Sequence, residues 1–462
     1  MVFTIPSPTL VGLDTSTVQV EVDLRPGLPA FSMVGLPDAA AREARERVRS
    51  GLVNQAYSVP ARRIVANLAP ADLRKQGPQY DLAIALSILA ASGQVPVAAL
   101  EGVAAVGELG LDGAVRPVPG VLAMAEHASQ RGWARLLVPH ANAAEAALAG
   151  GDTEIVPVRD LRDAAETLCG RREPRRVVAD ASEPGDARVT VADLGDLRGQ
   201  ATARRALEIA AAGLHSMLMI GPPGSGKTML ARRLPGILPP LSPREAVEVT
   251  RIHSVVGLLD PGAPLVRRRP FRAPHHSISV SGLVGGGRTP RPGEVTLAHR
   301  GVLFLDEVCA FAPSVLDALR QPLEHGVVDV VRANTSVRFP ARPLLVCAGN
   351  PCPCGFAGDA GGRCTCPPGR AEAYRARLSG PVADRIDLRV DVPRLSRDEL
   401  MAEGTGEASV AVRARVMAAD APRAAREQGV PNAHLGPVET RRVARLDAAG
   451  RRVMDAAVDR LG

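Results

Sequence analysis

The sequence predicts an α/β fold in which a parallel sheet carries a phosphate-binding loop at its carboxyl edge. The first observation is the segment Gly-Pro-Pro-Gly-Ser-Gly-Lys-Thr at residues 221–228, which directly follows the apolar run Met217–Ile220. The second is another apolar run, Val302–Leu305, which ends in an acidic pair. The third is the alternation of strand-like and helix-like patterns between about residues 193 and 393, which is typical of parallel strands joined by helices.

The glycine-rich segment predicts an ATP site. Glycines allow a tight loop to turn its backbone N–H groups toward phosphate oxygens, and the helix that follows adds positive potential at its N-terminus. The predicted cradle consists of Gly221, Pro222, Pro223, Gly224, Ser225, Gly226, Lys227 and Thr228. Lys227 is expected to reach the β- and γ-phosphates. A chance match is disfavoured because a strand-like run precedes the segment and a helical pattern follows it.

The acidic pair after the second apolar run completes this predicted site. Thr228 would supply a hydroxyl to Mg²⁺, and Asp306 would hold the same ion directly or through water. Glu307 can polarise the attacking water. The sequence therefore predicts Mg²⁺-dependent ATP hydrolysis in which each of these side chains has a separate task.

Length and composition indicate a globular protein of two or three domains. A chain of 462 residues exceeds a single core, and a content of 46% hydrophobic and 23% charged residues argues against extensive disorder. Aromatic residues make up only 2% of the chain, so base stacking on aromatic side chains is not the expected mode of nucleic-acid binding. The net charge of +7 permits an anionic partner without requiring one.

The sequence predicts no membrane span and no export signal. No apolar stretch reaches the ~18 residues that cross a bilayer, and the first residues lack the basic and apolar regions of a signal peptide. A cytoplasmic protein without a membrane partner is therefore expected.

The seven cysteines argue against a disulfide framework and include one dense cluster. The clustered residues are Cys352, Cys354, Cys364 and Cys366. Four soft ligands separated by Pro and Gly can surround one tetrahedral Zn²⁺, and four thiolates leave no open catalytic position. The pattern predicts a structural zinc ion. Its Cys-x-Cys spacing is tighter than the commoner two-residue gap, which leaves reduced free thiols as the alternative.

Residues 1–170 are predicted to form an α+β domain. Val18–Leu24 alternates with period two, as a half-buried strand does, and residues 38–56 follow a charged, Ala-rich helical pattern. A further helix is predicted over Tyr80–Ala91. Two short strands are predicted around the turn at Asp112-Gly113, the first of them beginning at Val103.

The rest of the chain divides by composition. Residues 171–190 are charged, contain Pro and Gly and lack periodicity, which is typical of a linker. The α/β core is expected over residues 191–393, with the cysteine insert at 352–366. Residues 394–462 are predicted to be wholly helical.

Several motifs taken together resemble those of one known family. They are Gly199-Gln200, the phosphate loop, the segment 271–279, the segment 292–307 that ends in the acidic pair, and the segments 350–355 and 378–388. Over nearly the whole chain the sequence resembles the magnesium-chelatase-like AAA+ proteins of the YifB/ComM family. The resemblance implies a AAA+ core, a homo-hexameric ring and, as in ComM proteins, ATP-driven branch migration of DNA during the integration of transforming DNA.

The N-terminal region resembles the domain of this family that shares its fold with the proteolytic domain of Lon. In Lon-like proteases a Gly-Pro-Ser segment supplies the nucleophile, and a Lys on a later helix activates it. The matching segment here is Gly77-Pro78-Gln79, and residues 119–126 contain no Lys. Because a nucleophile needs a hydroxyl or thiol and a nearby base, this domain is expected to be non-catalytic and to serve assembly or partner binding.

Two further residues are assigned to catalysis. Asn350 ends an apolar strand expected beside that of the acidic pair, where an amide can orient the attacking water as AAA+ sensor 1 does; a polar cap of the strand end is the alternative. Arg385 resembles the arginine finger that meets the ATP of a neighbouring subunit. Its alternative role is a salt bridge to Asp384 or Asp387.

Two inserts carry candidate DNA contacts. The candidates are Arg288 and Arg291 in the Gly-rich segment 277–293, and Arg332 and Arg338 on a predicted β-hairpin around Asn334. Basic residues on mobile loops suit contact with phosphates regardless of base sequence, and a solvated charged loop is the alternative.

His275 and His276 lack an evident third metal ligand, so a structural role is expected for them.

The C-terminal region departs from the family pattern. Family members continue into a helix with a Ser-x-Arg-Ala segment that supplies the sensor 2 arginine, and no such segment precedes Gly462. We therefore expect either a protein with a shortened helical lid or one whose C-terminus is lost, and ATP turnover would be impaired even with the core motifs intact. The leading hypothesis is a motor on single-stranded or branched DNA. A chelatase-type remodelling ATPase and a nucleotide-gated scaffold with little turnover are the alternatives.

Overall fold

The computed structural model describes most of the chain. The described residues are 2–175, 177, 192–260, 263–287, 290–332, 335–358, 361–377, 382–401, 406–424 and 430–461. The predicted linker at 171–190 lies largely outside this set. Within it, no helix is both long and apolar enough to cross a membrane.

The N-terminal region contains a mixed sheet, a parallel sheet and a two-stranded ribbon. Its strands are β1 (Val2–Val11), β2 (Asp14–Arg25), β3 (Ala30–Val34), β4 (Arg63–Ala69), β5 (Val103–Ala105), β6 (Glu108–Leu109), β7 (Val115–Arg116), β8 (Arg135–Pro139) and β9 (Glu154–Val158). The mixed sheet has the order β1-β2-β4-β3, in which only β3 and β4 are parallel neighbours. Strands β5, β8 and β9 form the parallel sheet, and β6 pairs with β7.

The helices of this region pack on these sheets. They are α1 (Ala39–Asn54), α2 (Asp81–Ala91), α3 (Val121–Gln130), α4 (Ala143–Ala147) and α5 (Leu161–Leu168). Asp38 caps α1 by accepting a hydrogen bond of 2.8 Å from the N–H of Ala41. Helix α2 is buried along nearly its whole length because its sequence is apolar on every face. The predicted helices at 38–56 and Tyr80–Ala91 and the strand at Val18–Leu24 are confirmed.

One prediction in this region needs correction. The turn at Asp112-Gly113 does join two short strands, β6 and β7. The residues Val103–Ala105, however, do not belong to this ribbon, because they form β5 and pair in parallel with β8. All three are buried, as expected for a strand in a parallel sheet. An apolar run predicts a strand here but does not specify which strand is its partner.

The core is a five-stranded parallel sheet with two smaller hairpins. Its strands are β10 (Met217–Ile220), β11 (Phe271–Arg272), β12 (Gly285–Gly286), β13 (Arg291–Pro292), β14 (Val302–Leu305), β15 (Val327–Arg332), β16 (Thr335–Pro340), β17 (Leu344–Gly349) and β18 (Leu388–Asp391). The sheet has the order β11-β14-β17-β10-β18, and all neighbours are parallel. The antiparallel pairs β12–β13 and β15–β16 lie outside it.

The remaining helices surround this sheet and continue to the C-terminus. They are α6 (Ala201–Gly213), α7 (Lys227–Ile237), α8 (Pro243–Val255), α9 (Val280–Val284), α10 (Glu294–Leu297), α11 (Pro313–Asp317), α12 (Arg320–His325), α13 (Arg370–Ala376), α14 (Arg397–Met401), α15 (Ser409–Ala424), α16 (Pro437–Val443) and α17 (Ala448–Leu461). The prediction that residues 394–462 are wholly helical is wrong in detail. Residues 394–396, 406–408, 435–436 and 444–447 are not helical. Pro393 precedes the first of these interruptions, and Gly436 lies in the third.

The two faces of the parallel sheet belong to different apolar clusters. Val302 and Phe304 of β14 pack in a cluster with residues of α6, α7 and α15. Leu303 and Leu305 of the same strand pack in a second cluster with residues of α8 to α11 and of the β15–β16 hairpin. Because successive side chains of a strand point to opposite faces and both faces are covered, the strand has to be a continuous apolar run.

The N-terminal region contacts the core at the turn between β1 and β2. Leu13 in this turn is 6% exposed and belongs to the same apolar cluster as Val337 of β16. The neighbouring Gly12 approaches so closely that an added Cβ would lie 2.2 Å from Val337 Cγ1. Arg251 of α8 donates a hydrogen bond of 2.8 Å to the carbonyl oxygen of Leu13 and lies 3.5 Å from the carboxylate of Glu126 on α3. Apolar contact and charge therefore act together at this interface.

Candidate functional site

The phosphate loop joins β10 to α7 at the carboxyl edge of the parallel sheet. Gly224 and Gly226 have φ angles of +76° and +93°, which a residue with a Cβ adopts only at a cost in free energy. Gly221 lies so close to the segment that follows β18 that an added Cβ would be 2.1 Å from the carbonyl oxygen of Val392. The glycines are therefore required by backbone conformation at two positions and by close packing at a third.

Lys227 begins α7 and is only 8% exposed. Its ammonium group donates hydrogen bonds to the carbonyl oxygens of Gly221 at 2.8 Å and Pro222 at 2.9 Å. It also lies 3.3 Å from Oδ1 of Asn350. Burial lowers the pKa of Lys227 from its ordinary value. A buried cation held by loop oxygens is well placed to meet the charge of a phosphate group.

Asn350 follows β17, which lies beside β14, the strand of the acidic pair, as predicted, and has β10 as its other neighbour. Its side chain accepts from Lys227, so the amide faces the phosphate loop. The predicted alternative, a cap of the strand end, does not require such a contact. The parallel strand order explains the position, because the residues that follow neighbouring parallel strands meet at one edge.

The residues predicted to hold Mg²⁺ are in direct contact. Thr228 Oγ1 donates a hydrogen bond of 2.7 Å to Oδ2 of Asp306. The other carboxylate oxygen of Asp306 accepts from the N–H of Glu307 at 2.9 Å. A hydroxyl and a carboxylate at the edge of a phosphate loop are the oxygen ligands that Mg²⁺ takes in phosphate-binding sites, so these residues fit the ion. Glu307 has a φ angle of +50°, and its side chain is 61% exposed.

His276 lies beside Glu307, although the sequence predicted only a structural role for it. Its Nδ1 is 3.9 Å from a carboxylate oxygen of Glu307. The imidazole also packs on the ring of His275, at 4.1 Å between centroids, and edge-on against Phe311. The sequence feature that could have revealed this contact is strand β11. The loop that follows a strand beside β14 reaches the same sheet edge as Glu307.

Gln200 was quoted only as part of a motif, and the structure places it against the phosphate loop. Its side-chain amide donates hydrogen bonds to the carbonyl oxygens of Ser225 at 3.1 Å and Pro393 at 2.6 Å. Gln200 has a φ angle of +55° at the start of α6. It therefore connects the phosphate loop to the segment after β18.

Arg385 lies in a short 3-10 turn before β18, and its partner differs from the predicted alternatives. Its guanidinium donates a hydrogen bond of 2.5 Å to Oε1 of Glu324 on α12. Asp387, one of the predicted partners, instead accepts from the N–H of Ser216 at 3.1 Å. The Arg385 side chain is 47% exposed. The ion pair thus connects Arg385 to α12 of the same chain at the surface of the protein.

The cysteine segment comprises the described residues 352–358 and 361–366. The ligand sulfur atoms of Cys352, Cys354, Cys364 and Cys366 all lie within 4.8 Å of one another. The N–H of Ala357 donates to the Sγ of Cys352 at 3.2 Å. Backbone N–H donors, first that of Phe356, lower the pKa of Cys354 to about 6. Sulfur atoms this close together, with N–H groups directed at them, form a donor set that fits a tetrahedral soft metal ion.

An open cleft of about 950 Å³ is lined by residues of α9, α12 and β15. Arg291 and Arg338 lie on β13 and β16, the strands that pair with β12 and β15. Arg291 is exposed in β13, and Arg338 of β16 pairs with Asp329 of β15 at 2.8 Å. Arg332 ends β15, but its side chain lies outside the described residues, as does the whole of Arg288. The predicted hairpin is confirmed, whereas the predicted Gly-rich loop at 277–293 contains a helix and a small ribbon.

Known proteins match the chain over most of its length. A family model described as "Magnesium chelatase, subunit ChlI" matches residues 193–400, and one described as "Subunit ChlI of Mg-chelatase" matches residues 20–142. The protein YifB of Escherichia coli is 42% identical over 456 residues, which is 98% of this chain and 88% of YifB. The competence protein ComM of Haemophilus influenzae is equally similar, at 42% identity over the same shares of the two chains.

An uncharacterized protein of Mycobacterium tuberculosis is 46% identical over 406 residues, or 88% of this chain and 79% of that protein. These similarities extend across the N-terminal region, the phosphate loop and the cysteine segment. They agree with the α/β core described above. The chain belongs to the YifB/ComM family of magnesium-chelatase-like AAA+ proteins.

Proposed function

We propose that the protein binds Mg·ATP and hydrolyses ATP at the carboxyl edge of the parallel sheet. The observation that carries this proposal is the hydrogen bond of 2.7 Å between Thr228 and Asp306, which joins the end of the phosphate loop to the end of β14. These two residues would hold Mg²⁺, which supplies positive charge to the phosphate oxygens when it is bound.

The remaining residues of the site have distinct tasks in this proposal. Lys227 neutralises phosphate charge, and its burial strengthens that interaction. Glu307, exposed at the same edge, accepts a proton from the attacking water. Asn350 orients that water from the neighbouring strand. Arg385 completes the site of an adjacent subunit in a homo-hexameric ring, where it offsets charge on the transferred phosphoryl group.

We propose further that ATP hydrolysis drives movement along single-stranded or branched DNA. Similarity to a protein named for competence, over 98% of this chain, supports a role with incoming DNA. Arg291 and Arg338 lie on β13 and β16, whose partner strands β12 and β15 contribute residues to the lining of the open cleft, and cations near such a cleft can contact phosphates. Arg288 and Arg332 belong to the same two inserts.

A chelatase-type remodelling ATPase is the second candidate function. It is favoured by the descriptions of the two matching family models, which both name a subunit of magnesium chelatase. In this function ATP hydrolysis would reshape a partner protein that inserts a metal ion into a tetrapyrrole, and DNA would have no effect on turnover.

An ATPase assay with and without DNA distinguishes the two functions. Phosphate release by the purified chain should rise several-fold when forked or single-stranded DNA is added, and Lys227→Ala protein should release no phosphate under either condition. Turnover that DNA leaves unchanged would contradict the motor. Nucleotide binding without turnover would favour the scaffold.

We propose that the cysteine cluster holds one structural Zn²⁺. The four sulfur atoms within 4.8 Å of one another support this assignment. Four thiolates saturate a tetrahedral ion, so the metal would organise the segment after β17 and take no part in the chemistry of hydrolysis.

A further inference from the structure

We propose that the cysteine segment holds the phosphate loop in its nucleotide-binding conformation through direct contact between Gly355 and Pro223. The affinity of the protein for nucleotide would therefore depend on whether the cysteine segment keeps its folded conformation. This inference rests on the proposed nucleotide binding. It adds a positioning role for the cysteine segment, which lies outside the motifs of the nucleotide site.

The segment begins immediately beside the nucleotide site. Asn350 contacts the ammonium of Lys227, and Cys352 follows it by only two residues. Cys352 is completely buried, so the start of the segment has little freedom to move away. A change in the position of the cysteine cluster is therefore transmitted directly to the end of β17.

Gly355 forms the contact itself. A Cβ added to Gly355 would lie 2.5 Å from Cδ and 2.8 Å from Cγ of Pro223. Distances under 3.0 Å do not occur for real Cβ atoms, so one of the two backbones would have to shift. The two turns are thus in close van der Waals contact, and the ring of Pro223 rests on the backbone of the cysteine segment.

A second connection joins the segment to the phosphate loop through Arg394, Pro393 and Gln200. The ring of Phe356 has the guanidinium of Arg363 at 4.9 Å and that of Arg394 at 5.5 Å from its centroid. Arg394 directly follows Pro393, whose carbonyl oxygen accepts from Gln200. Gln200 also donates to Ser225 in the phosphate loop.

The physical consequence follows from the geometry of phosphate binding. A phosphate loop binds because its N–H groups are already directed at the phosphate oxygens, and a small rotation of the loop misdirects them. The proline in this loop is supported by Gly355, and the order of Gly355 depends on the cysteines on either side of it. Loss of that support should therefore weaken nucleotide binding without any change to Lys227 or Thr228.

The matched variants Gly355→Ala and Gly358→Ala test the contact. Both glycines have positive φ angles, +85° and +77°, so the backbone strain of the substitution is comparable. Of the two, only Gly355 would bring its new methyl group against another atom of the described residues, since none of them lies within 4 Å of a Cβ at Gly358. We expect Gly355→Ala to bind a fluorescent ATP analogue roughly tenfold more weakly than the wild type, and Gly358→Ala to bind it within about twofold of the wild type.

A double-mutant cycle with Pro223→Ala separates this contact from a general disturbance of the cysteine segment. Pro223→Ala removes the two ring atoms that the new methyl group would meet. If the contact carries the effect, Gly355→Ala should cost little additional affinity in the Pro223→Ala protein. An equal loss in both backgrounds, including a loss caused by release of metal from the segment, would overturn the proposal.

Failure of the proposed function and failure of the positioning role would give different experimental results. If the wild-type chain does not bind the ATP analogue at all, the nucleotide site itself is wrong and the positioning role falls with it. If the wild type and Gly355→Ala bind the analogue equally well, only the positioning role is wrong. Thermal unfolding of both alanine variants completes the comparison, because a purely structural role would lower the stability of Gly355→Ala and leave its affinity unchanged.

Discussion

At the scale of single residues, the nucleotide site separates a buried cation from an exposed carboxylate. Lys227 is 8% exposed and held by loop carbonyl oxygens, whereas the Glu307 side chain is 61% exposed. Burial keeps Lys227 in a single position within the phosphate loop, and exposure leaves Glu307 accessible to water. Binding and hydrolysis should therefore be separable by mutation.

We predict that Lys227→Ala weakens nucleotide binding and that Glu307→Gln binds nucleotide without hydrolysing it. The first change leaves phosphate charge without its cation, and the second removes the group that accepts a proton from water. Either should slow turnover by roughly 10²-fold or more. Titration with a fluorescent ATP analogue and a phosphate-release assay measure the two effects. Turnover of Glu307→Gln at the wild-type rate would exclude Glu307 as the base.

His276 offers a second prediction at this scale. Because its Nδ1 lies 3.9 Å from the Glu307 carboxylate and its ring contacts those of His275 and Phe311, it can hold that carboxylate toward the water. His276→Ala should lower kcat by about tenfold, equivalent to ~1.4 kcal/mol, with nucleotide affinity unchanged. The control is His275→Ala, for which kcat should stay near the wild-type value. If the two variants changed kcat equally, His276 would have only a structural role.

At the scale of elements, the strand order assembles the site. The segments after β11, β14, β17 and β10 meet at one edge because these strands are parallel neighbours. This arrangement places His276, Glu307, Asn350 and the phosphate loop together although they are distant in sequence. The cysteine segment then follows β17 and lies against the loop.

We predict about one zinc ion per chain in protein purified under reducing conditions. Cys352→Ser removes the buried ligand and should lower the zinc content and loosen the segment, because metal binding and local folding are coupled. Elemental analysis and limited proteolysis measure these effects. Cys169→Ser, which changes a cysteine outside the cluster, is the matched control. Metal-free wild-type protein would contradict the prediction.

At the scale of the whole molecule, Leu13 joins the N-terminal region to the core. It is 6% exposed within the core's apolar cluster, whereas Leu28 in the same region is 88% exposed. Leu13→Ala should reduce the free energy of unfolding by about 2–4 kcal/mol, and Leu28→Ala should leave it nearly unchanged. Denaturant titration of the two variants checks this. Equal stability of both would mean that the turn at Leu13 adds nothing to the interface.

Arg385 is proposed to act between neighbouring subunits of the ring. It pairs with Glu324 within its own chain, and its half-exposed side chain remains accessible from outside. We predict that Arg385→Ala and Lys227→Ala subunits are each nearly inactive, and that mixing them restores part of the ATP turnover. Some interfaces in mixed rings then combine an intact phosphate loop with an intact finger. Full activity of Arg385→Ala alone would leave only a surface salt bridge of small energy.

The sequence by itself determined the α/β core, the phosphate loop, the acidic pair, the position of Asn350 and the cysteine cluster. These features depend on short-range chemistry: glycines that permit positive φ angles, apolar runs that become buried parallel strands, and four thiols within fifteen residues. Each of these features depends on residues that are close together in the chain, so it can be predicted from a single sequence.

Only the tertiary structure decided which distant segments touch. The pair of Arg385 and Glu324 joins residues 61 positions apart, and the contacts of His276 with Glu307 and of Gly355 with Pro223 likewise connect separate loops. The pairing of Val103–Ala105 with β8 is of the same kind. Periodicity and motif spacing describe what each segment can form, but the order of strands and the packing of both sheet faces select its neighbours. That selection is a property of the whole chain, because every contact depends on the burial of all the others.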